Sequence, residues 1–401
     1  MALSVDEALE KILDGVAVTD PEIVPIAESG GRILAEPIIA RLTQPPFHSS
    51  AMDGYAVRSM DLGQLPVQLQ VVGQSAAGHP YQGAVRRGEA VRIFTGAPVP
   101  DDTDTVIIQE NTTADDGAVT IREGRTDAGL NIRPRAGDFL EGDTLLPAGR
   151  RLGPRELTLG ASAGHGELPV RRKPRVAILA TGDELVLPGT LPGPGQIVCS
   201  NPLGIAGLVT QSGAEARFLG IARDTRESLA QHVNMARDAD VLVTIGGASV
   251  GDHDLVGPVL EQLGMSLSFW KIDMRPGKPL LHGRLGAQRV FGLPGNPVSA
   301  LICTRVFLVP YLRAIVGMTE DEGVSLTAPL ADPVEANGPR QHYMRAMLQR
   351  KPDGSYEVRP ARSQDSSLLA TLAAADVLLV RPPNAPPLDT GTLVNVLRLD
   401  F

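Results

Sequence analysis

Residues 175–184 read Arg175-Val176-Ala177-Ile178-Leu179-Ala180-Thr181-Gly182-Asp183-Glu184, and residues 241–247 read Val241-Leu242-Val243-Thr244-Ile245-Gly246-Gly247. Each is an apolar run of strand length that stops at glycine and carries no alternating polar face, as a strand covered on both faces would. Helical patterns near 201–211 and 225–237, with a strand-like run at 215–222, separate the two runs. That alternation predicts parallel βαβ units in a doubly wound sheet. It continues through a helix near 254–263, strands at 267–272 and 289–293, and a helix from Pro297 with Asn296 in the cap position. The α/β domain thus spans about 173–318.

Working outward, Ser4 with Glu7 forms a capping-box pattern before Val5, Ala8, Leu9, Ile12 and Leu13, so one short helix opens the chain. From 21 to 172 short apolar runs are punctuated by turn residues, which predicts a mostly β region. Beyond Glu320, runs at 343–349, 356–360, 377–380 and 393–399 predict a small β-barrel-like domain. The whole is multi-domain α/β plus β.

The 401 residues carry 37 Lys plus Arg against 46 Asp plus Glu, a net charge of -9, with 3% aromatics. That balance argues against wrapping nucleic acid and leaves the basic residues for small anionic ligands. Cys199 and Cys303 form no C-x-x-C, so neither a disulfide scaffold nor a zinc knuckle is expected. No basic leader precedes the first helix, and Arg305, Pro310 and Arg313 interrupt the apolar stretch at 298–316. The expectation is a cytoplasmic protein without a membrane segment.

In an open α/β sheet, ligands sit beyond the carboxyl ends of the strands. Four loops are expected there: Thr181-Gly182-Asp183-Glu184; Gly246-Gly247 through Ser249 and Gly251 to Asp254; Arg275-Pro276-Gly277-Lys278-Pro279; and Pro294-Gly295-Asn296-Pro297-Val298-Ser299. Together they offer carboxylates, two cations and a helix N-terminus, a set suited to a phosphate ester held partly through a divalent metal. In the β region, Asp53-Gly54 reads either as a hairpin turn or as a site carboxylate, and 133–143 as a solvated face or an anion-and-metal surface. Gly247-Ala248-Ser249-Val250-Gly251 matches a nucleophile elbow, but His282 follows Ser249 too closely for a hydrolase triad. Gly277-Lys278-Pro279 lacks the hydroxyl and upstream glycine of a Walker loop, and no histidine pair has zinc-ligand spacing.

Six ordered motifs carry a resemblance: Ser-Ala-Met-Asp-Gly-Tyr-Ala at 50–56, Thr-Gly-Ala-x-x-Pro followed by Asp-Thr-Val at 95–106, Thr-Gly-Asp-Glu-Leu at 181–185, Gly-Gly-x-Ser-Val-Gly at 246–251, Pro-Gly-Lys-Pro at 276–279 and Gly-Leu-Pro-Gly-Asn-Pro-Val-Ser at 292–299. The chain resembles the molybdopterin molybdenumtransferase family, MoeA type, which also includes the E domain of gephyrin. The resemblance implies an enzyme that inserts molybdate into adenylylated molybdopterin and releases AMP with Mg²⁺. It assigns Asp53, Thr95, Asp138, Glu184, Asp224 and Asp254 to the working cleft, with Asp53 and Glu184 toward the metal. Thr181, Gly182, Asp183, Gly246, Gly247, Ser249, Gly251, Pro294, Gly295 and Asn296 fall to the pterin substrate, and Arg275, Lys278, Pro279, Ser299 and Arg345 to molybdate. Ser366 and Ser367 match positions linked to oxyanion entry. Asp224 also reads as a plain helix cap.

The resemblance further implies a homodimer with an inter-subunit site, contact with molybdopterin adenylyltransferase as a partner, and discontinuous domains: 1–20 with 173–318, 21–39 with 143–172, 40–142, and 319–401. The chain departs from the family pattern at Arg275, where Lys is usual, and at Ile245, where Ser commonly precedes Gly-Gly. Two other readings stand beside it, a molybdopterin adenylyltransferase and a non-catalytic pterin-binding scaffold. The first fits a far shorter chain; the second is expected to lose the cleft carboxylates.

Overall fold

A computed structural model describes residues 2–247, 255–319 and 325–399. The central sheet has six strands in the spatial order Glu215–Ala222, Arg175–Thr181, Val241–Ile245, Gln288–Leu293, Pro279–Leu285 and Met265–Lys271. The first four run parallel. The last two are antiparallel to their neighbours, so the parallel βαβ reading holds for the first four strands and the sheet as a whole is mixed. The cause is local: Leu285 pairs with Gln288 across a two-residue turn, and so tight a connection can only reverse the chain.

Side chains alternate strictly. Val176 and Ile178 enter the core beneath the opening helix Val5–Leu13, the helix Asn201–Gln211 and the helical stretch at 297–315. Ala177 and Leu179 enter the opposite core, under Arg226–Met235 and Val256–Gln262. Both faces of the inner strands Arg175–Thr181 and Val241–Ile245 are therefore dry, which is why they read as unbroken apolar runs, whereas the edge strand Glu215–Ala222 stays partly exposed. Strand Arg175–Thr181 has its sequence successor on one side and Val241–Ile245 on the other. The strand order reverses at that pair, which opens a crevice beyond their carboxyl ends. Pro297–Ile315 is long and apolar enough to cross a membrane, but 83% of it is buried inside the protein. It passes through one π-type turn, Thr304–Leu308, just before Pro310.

The opening helix has its capping box: Glu7 N–H donates to Ser4 Oγ at 3.2 Å and Ser4 N–H to the Glu7 carboxylate at 2.8 Å. Strand Pro21–Pro25 pairs with Glu167–Arg171, and Ile38–Ile39 with Thr144–Leu146. These segments share a core of Leu34, Ile38, Leu152, Leu168 and Val170. The mostly β expectation for 21–172 missed the helix Pro154–Ser162, whose Pro stands at the start and whose Glu156 accepts the Gly153 N–H at 3.0 Å. The intervening region forms a six-stranded sheet ordered Thr105–Ile108, Gly54–Val57, Glu89–Ile93, Val67–Ser75, Ala118–Ile121, Thr112–Asp115.

At the C-terminus, Gln341–Arg350 pairs with Tyr356–Pro360 and with Val377–Arg381, and the path continues through Leu393–Arg398 to Ser325–Pro329. Leu330 then bridges Val358, which returns the path to its start and makes the sheet barrel-like. Met274–Arg275 pairs with the edge of Gln341–Arg350, stitching this domain to the central one.

Candidate active site

The loops at the reversal point touch one another. Thr181 is buried and donates its Oγ1 to Asp224 Oδ1 at 2.9 Å. Asp224 donates its N–H to Asp183 Oδ1 at 3.4 Å. The cap of Arg226–Met235 is Thr225, which accepts the Ser228 N–H at 3.2 Å; the plain-cap reading of Asp224 is thereby corrected. Gly246 has φ +88, and a Cβ there would stand 2.7 Å from the Thr181 carbonyl oxygen, so only glycine lets these two loops meet. Gly295 lies against Gly246, and its carbonyl accepts a 2.7 Å bond from Asn201 Nδ2. Asp183, Glu184 and Asp224 are exposed, and among the described residues none of them makes an ion pair. Glu184 lies near Cys199, whose thiol is pushed up by burial and by that carboxylate.

Asn296 occupies the cap position before Pro297 without a side-chain capping bond. Instead its Nδ2 donates to Ser366 Oγ at 3.1 Å, bringing the C-terminal domain to the same edge. Ser299 is buried in the first turn of that helix. Lys278 and Arg275 are exposed and Pro279 half-buried; neither cation has an ion-pair partner among the described residues. Arg345 lies almost wholly inside, at 1% exposure. It donates to the Asp365 carbonyl at 2.9 Å, and its backbone N–H bonds the Gln364 side chain at 2.9 Å. Arg345 thus clamps the loop that presents Ser366 and Ser367. Beside it, His342 is held down to about 4 by burial and by Arg275, Arg345, Arg340 and Arg381. Burial is the larger cause, and the four guanidiniums that add to it form a positive field that favours an arriving oxyanion.

Asp53 and Thr95 stand 42 residues apart yet bond twice: Thr95 donates its N–H at 2.8 Å and its Oγ1 at 2.9 Å to Asp53 Oδ1. Those bonds, with Arg92 nearby, hold the exposed Asp53 carboxyl below the usual range. Asp53-Gly54 is not a hairpin turn. Gly54 begins a strand paired on both sides, and a Cβ there would lie 1.9 Å from the Ile107 carbonyl oxygen. Asp138 is exposed in a loop that folds against the same segment, its N–H donating to the Gln44 carbonyl at 3.0 Å and that of Ala136 to Pro45 at 3.0 Å. Residues 44–53 therefore lie between the 95–99 and 131–138 loops.

Two groups result. One gathers Thr181, Gly182, Asp183, Glu184, Asp224, Gly246, Gly247, Pro294, Gly295 and Asn296 around the sheet edge. The other holds Asp53, Thr95 and Asp138 on the β region. No hydrogen bond or ion pair among the described residues joins 43–142 to the central domain. Ser249, Gly251 and Asp254 lie outside the described residues. His282 is fully buried between Phe269 and Phe291, with ring centroids 5.5 and 4.7 Å away. Burial lowers it to about 4, so it is a neutral core histidine and no hydrolase base. Sequence reasoning missed Arg92, Asn201 and Cys199. Of these only Asn201 left a signal, a side-chain amide at the start of a predicted helix.

Together the fold and this edge define a multi-domain α/β enzyme type in which a small-molecule site lies at a strand-order reversal, flanked by β domains. Family descriptions match nearly end to end: the MoeA N-terminal region (domain I and II) over residues 3–164, a probable molybdopterin binding domain over 177–314, and the MoeA C-terminal region (domain IV) over 327–399. The chain is 37% identical to the molybdopterin molybdenumtransferase of Nostoc sp. across 95% of its own length and 89% of the relative's. With the Haemophilus influenzae protein of the same name it shares 35%, across 98% of each chain. The crystal structure of the molybdopterin biosynthesis MoeA protein from Pyrococcus horikosii superposes with a TM-score of 0.85 at 32% identity, covering 100% of both chains. The chain belongs to the molybdopterin molybdenumtransferase family and is an enzyme, a transferase.

Proposed function

We propose that the chain inserts molybdate into adenylylated molybdopterin with Mg²⁺-dependent release of AMP, and that it works in the cytoplasm as a homodimer. The observation that carries this is the meeting of three glycine-bearing loops at the strand-order reversal, with carboxylates on one side and cations on the other that form no ion pair among the described residues. A pterin dithiolene joined to an adenylate by a diphosphate needs both. The backbone around Gly246 and Gly295 offers close approach to the substrate's flat body. Asn201 fixes the Gly295 loop, and Asn296 fixes Ser366 beside the oxyanion entrance.

Among the described residues no three His, Cys, Asp or Glu side chains cluster to hold a metal. Mg²⁺ does not require such a cage, since it commonly takes one or two carboxylates and fills the rest with water and substrate phosphates. Asp53 and Glu184 fit that donor chemistry: both are exposed, and Asp53 Oδ2 has no hydrogen-bond partner among the described residues. Asp53 and Glu184 would hold the Mg²⁺, which would supply positive charge to the diphosphate. Asp53 stays ionised because Thr95 donates to it, and Lys278 and Arg275 hold the incoming molybdate. Asp53 and Glu184 belong to separate groups within one chain, so the reading places the Asp53 group of one subunit over the Glu184 loop of its partner. Contact with molybdopterin adenylyltransferase would deliver the substrate.

The test is to incubate purified protein with adenylylated molybdopterin, molybdate and Mg²⁺ and follow AMP. Metal-dependent release is expected, and mixing Asp53→Ala with Glu184→Ala protein should restore part of it by forming heterodimers with one intact site. Absence of release in the wild type sinks the reaction; absence of restoration sinks the shared site.

A further inference from the structure

At the other end of the central sheet, where the parallel strands begin, lies a cavity of about 660 Å³, within the range of pockets that bury small organic ligands. Four arginines line it, Arg172, Arg237, Arg284 and Arg289, against two aspartates, Asp20 and Asp240. The charges do not cancel. Asp240 is taken by Arg172 through bonds of 2.9 and 3.0 Å, and it accepts the Arg175 N–H at 2.7 Å as well. Arg284 reaches a carboxylate only at 4.0 Å, that of Asp14. Arg289 is 4% exposed, donates Nη2 to the Asp14 carbonyl at 2.6 Å and lies against the Tyr311 side chain, while its buried Nη1 has no acceptor among the described residues. Arg237 is exposed and makes neither hydrogen bond nor ion pair among the described residues.

A guanidinium withdrawn from water with no carboxylate beside it is costly, and a bound anion removes that cost. The remaining wall is mixed: Val233, Leu263 and Tyr311 share it with the polar Thr19, Asn234 and Gln288, and Arg289 packs 5.8 Å over the Tyr311 ring. We propose that this cavity binds a small organic oxyanion, its charged head held by Arg237 and Arg289 and its apolar body lying against the half-buried Leu263. The position suggests a consequence. Both chain crossings between the central domain and the paired strands Pro21–Pro25 and Glu167–Arg171 pass here, Thr19 donating its N–H to the Ile315 carbonyl at 2.8 Å and Arg172 its N–H to the Asp20 carbonyl at 2.9 Å. A ligand in the cavity stiffens that junction.

The test uses the full-length chain and titration calorimetry with phenyl phosphate, benzoate, inorganic phosphate and, as the neutral control, phenol. Expected are one-to-one binding of phenyl phosphate or benzoate, weaker binding of inorganic phosphate and none of phenol. Arg237→Ser, at an exposed position where folding is not at stake, should weaken the organic anion about tenfold, and Arg289→Gln should weaken it too. Lys278→Ala, at the far end of the sheet, should leave it unchanged. The proposal is overturned if neither organic anion binds, if Arg237→Ser binds as tightly as wild type, if inorganic phosphate matches phenyl phosphate, or if Lys278→Ala abolishes the signal.

Discussion

The two ends of the central sheet spend their charges differently. At the amino ends Asp240 is locked by Arg172 and by the Arg175 amide, and together they tie the strand starts to the linker. At the carboxyl ends Asp183, Glu184, Arg275 and Lys278 form no ion pair among the described residues, although both signs are present. The contrast teaches that opposite charges kept apart on loops are available to substrate, whereas the same residue types in contact serve stability. Glu184→Gln should therefore reduce AMP release about a thousandfold while pterin binding, followed by fluorescence quenching, and the thermal midpoint stay near wild type. A variant that melts early would show that Glu184 is structural after all and would erase the contrast.

Between the two ends, the core supplies a pH test. His282 titrates near 4 in the folded chain and about 6.5 when unfolded. From pH 6.5 down to 4 the unfolded chain therefore binds the extra proton, and unfolding free energy falls, by about 3 kcal/mol in all, with no contribution above that window. His342 adds a loss in the same direction. Denaturant midpoints measured across this range should show the slope, and His282→Phe should flatten part of it. An unchanged slope in that variant would assign the effect elsewhere. Asp240→Ala comes next, with a loss of about 2 kcal/mol for a half-buried, doubly bonded pair. AMP release at low temperature should be unaffected, which is the mirror image of Glu184→Gln.

Strands Arg175–Thr181 and Val241–Ile245 and their loops were legible because burial on both faces writes unbroken apolar runs that end in glycine. Strand Pro279–Leu285 was not, since Pro279, His282 and Gly283 break its pattern, and the burial that tolerates a neutral His282 is a tertiary fact. Pro154–Ser162 hid for a related reason: Thr158, Gly160 and Ser162 weaken the helical signal that Pro154 and Glu156 give. The site residues fell on recognisable motifs, but spacing cannot reveal the Asp53–Thr95 bonds, which join strand ends through sheet pairing. Nor can it show that Arg345 spends its donors on the 363–368 loop.

That last point shapes the smallest effect. Arg345 is clamped by carbonyls and Ser299 is buried, which leaves Lys278 and Arg275 as the exposed cations that the proposed reading assigns to the oxyanion. Lys278→Ala removes one exposed point charge and touches no packing, so the molybdate concentration for half-maximal AMP release should rise about tenfold while the maximal rate changes little. Arg275→Lys separates charge from geometry at the other cation. Arg275 also pairs by its backbone with His342, which positions its fork beside the barrel edge. If only charge matters, Arg275→Lys leaves the half-saturating concentration where it was; if the planar fork grips two oxygens, that concentration rises as well. Loss of maximal rate in Lys278→Ala instead would move this lysine from oxyanion capture to the reacting diphosphate.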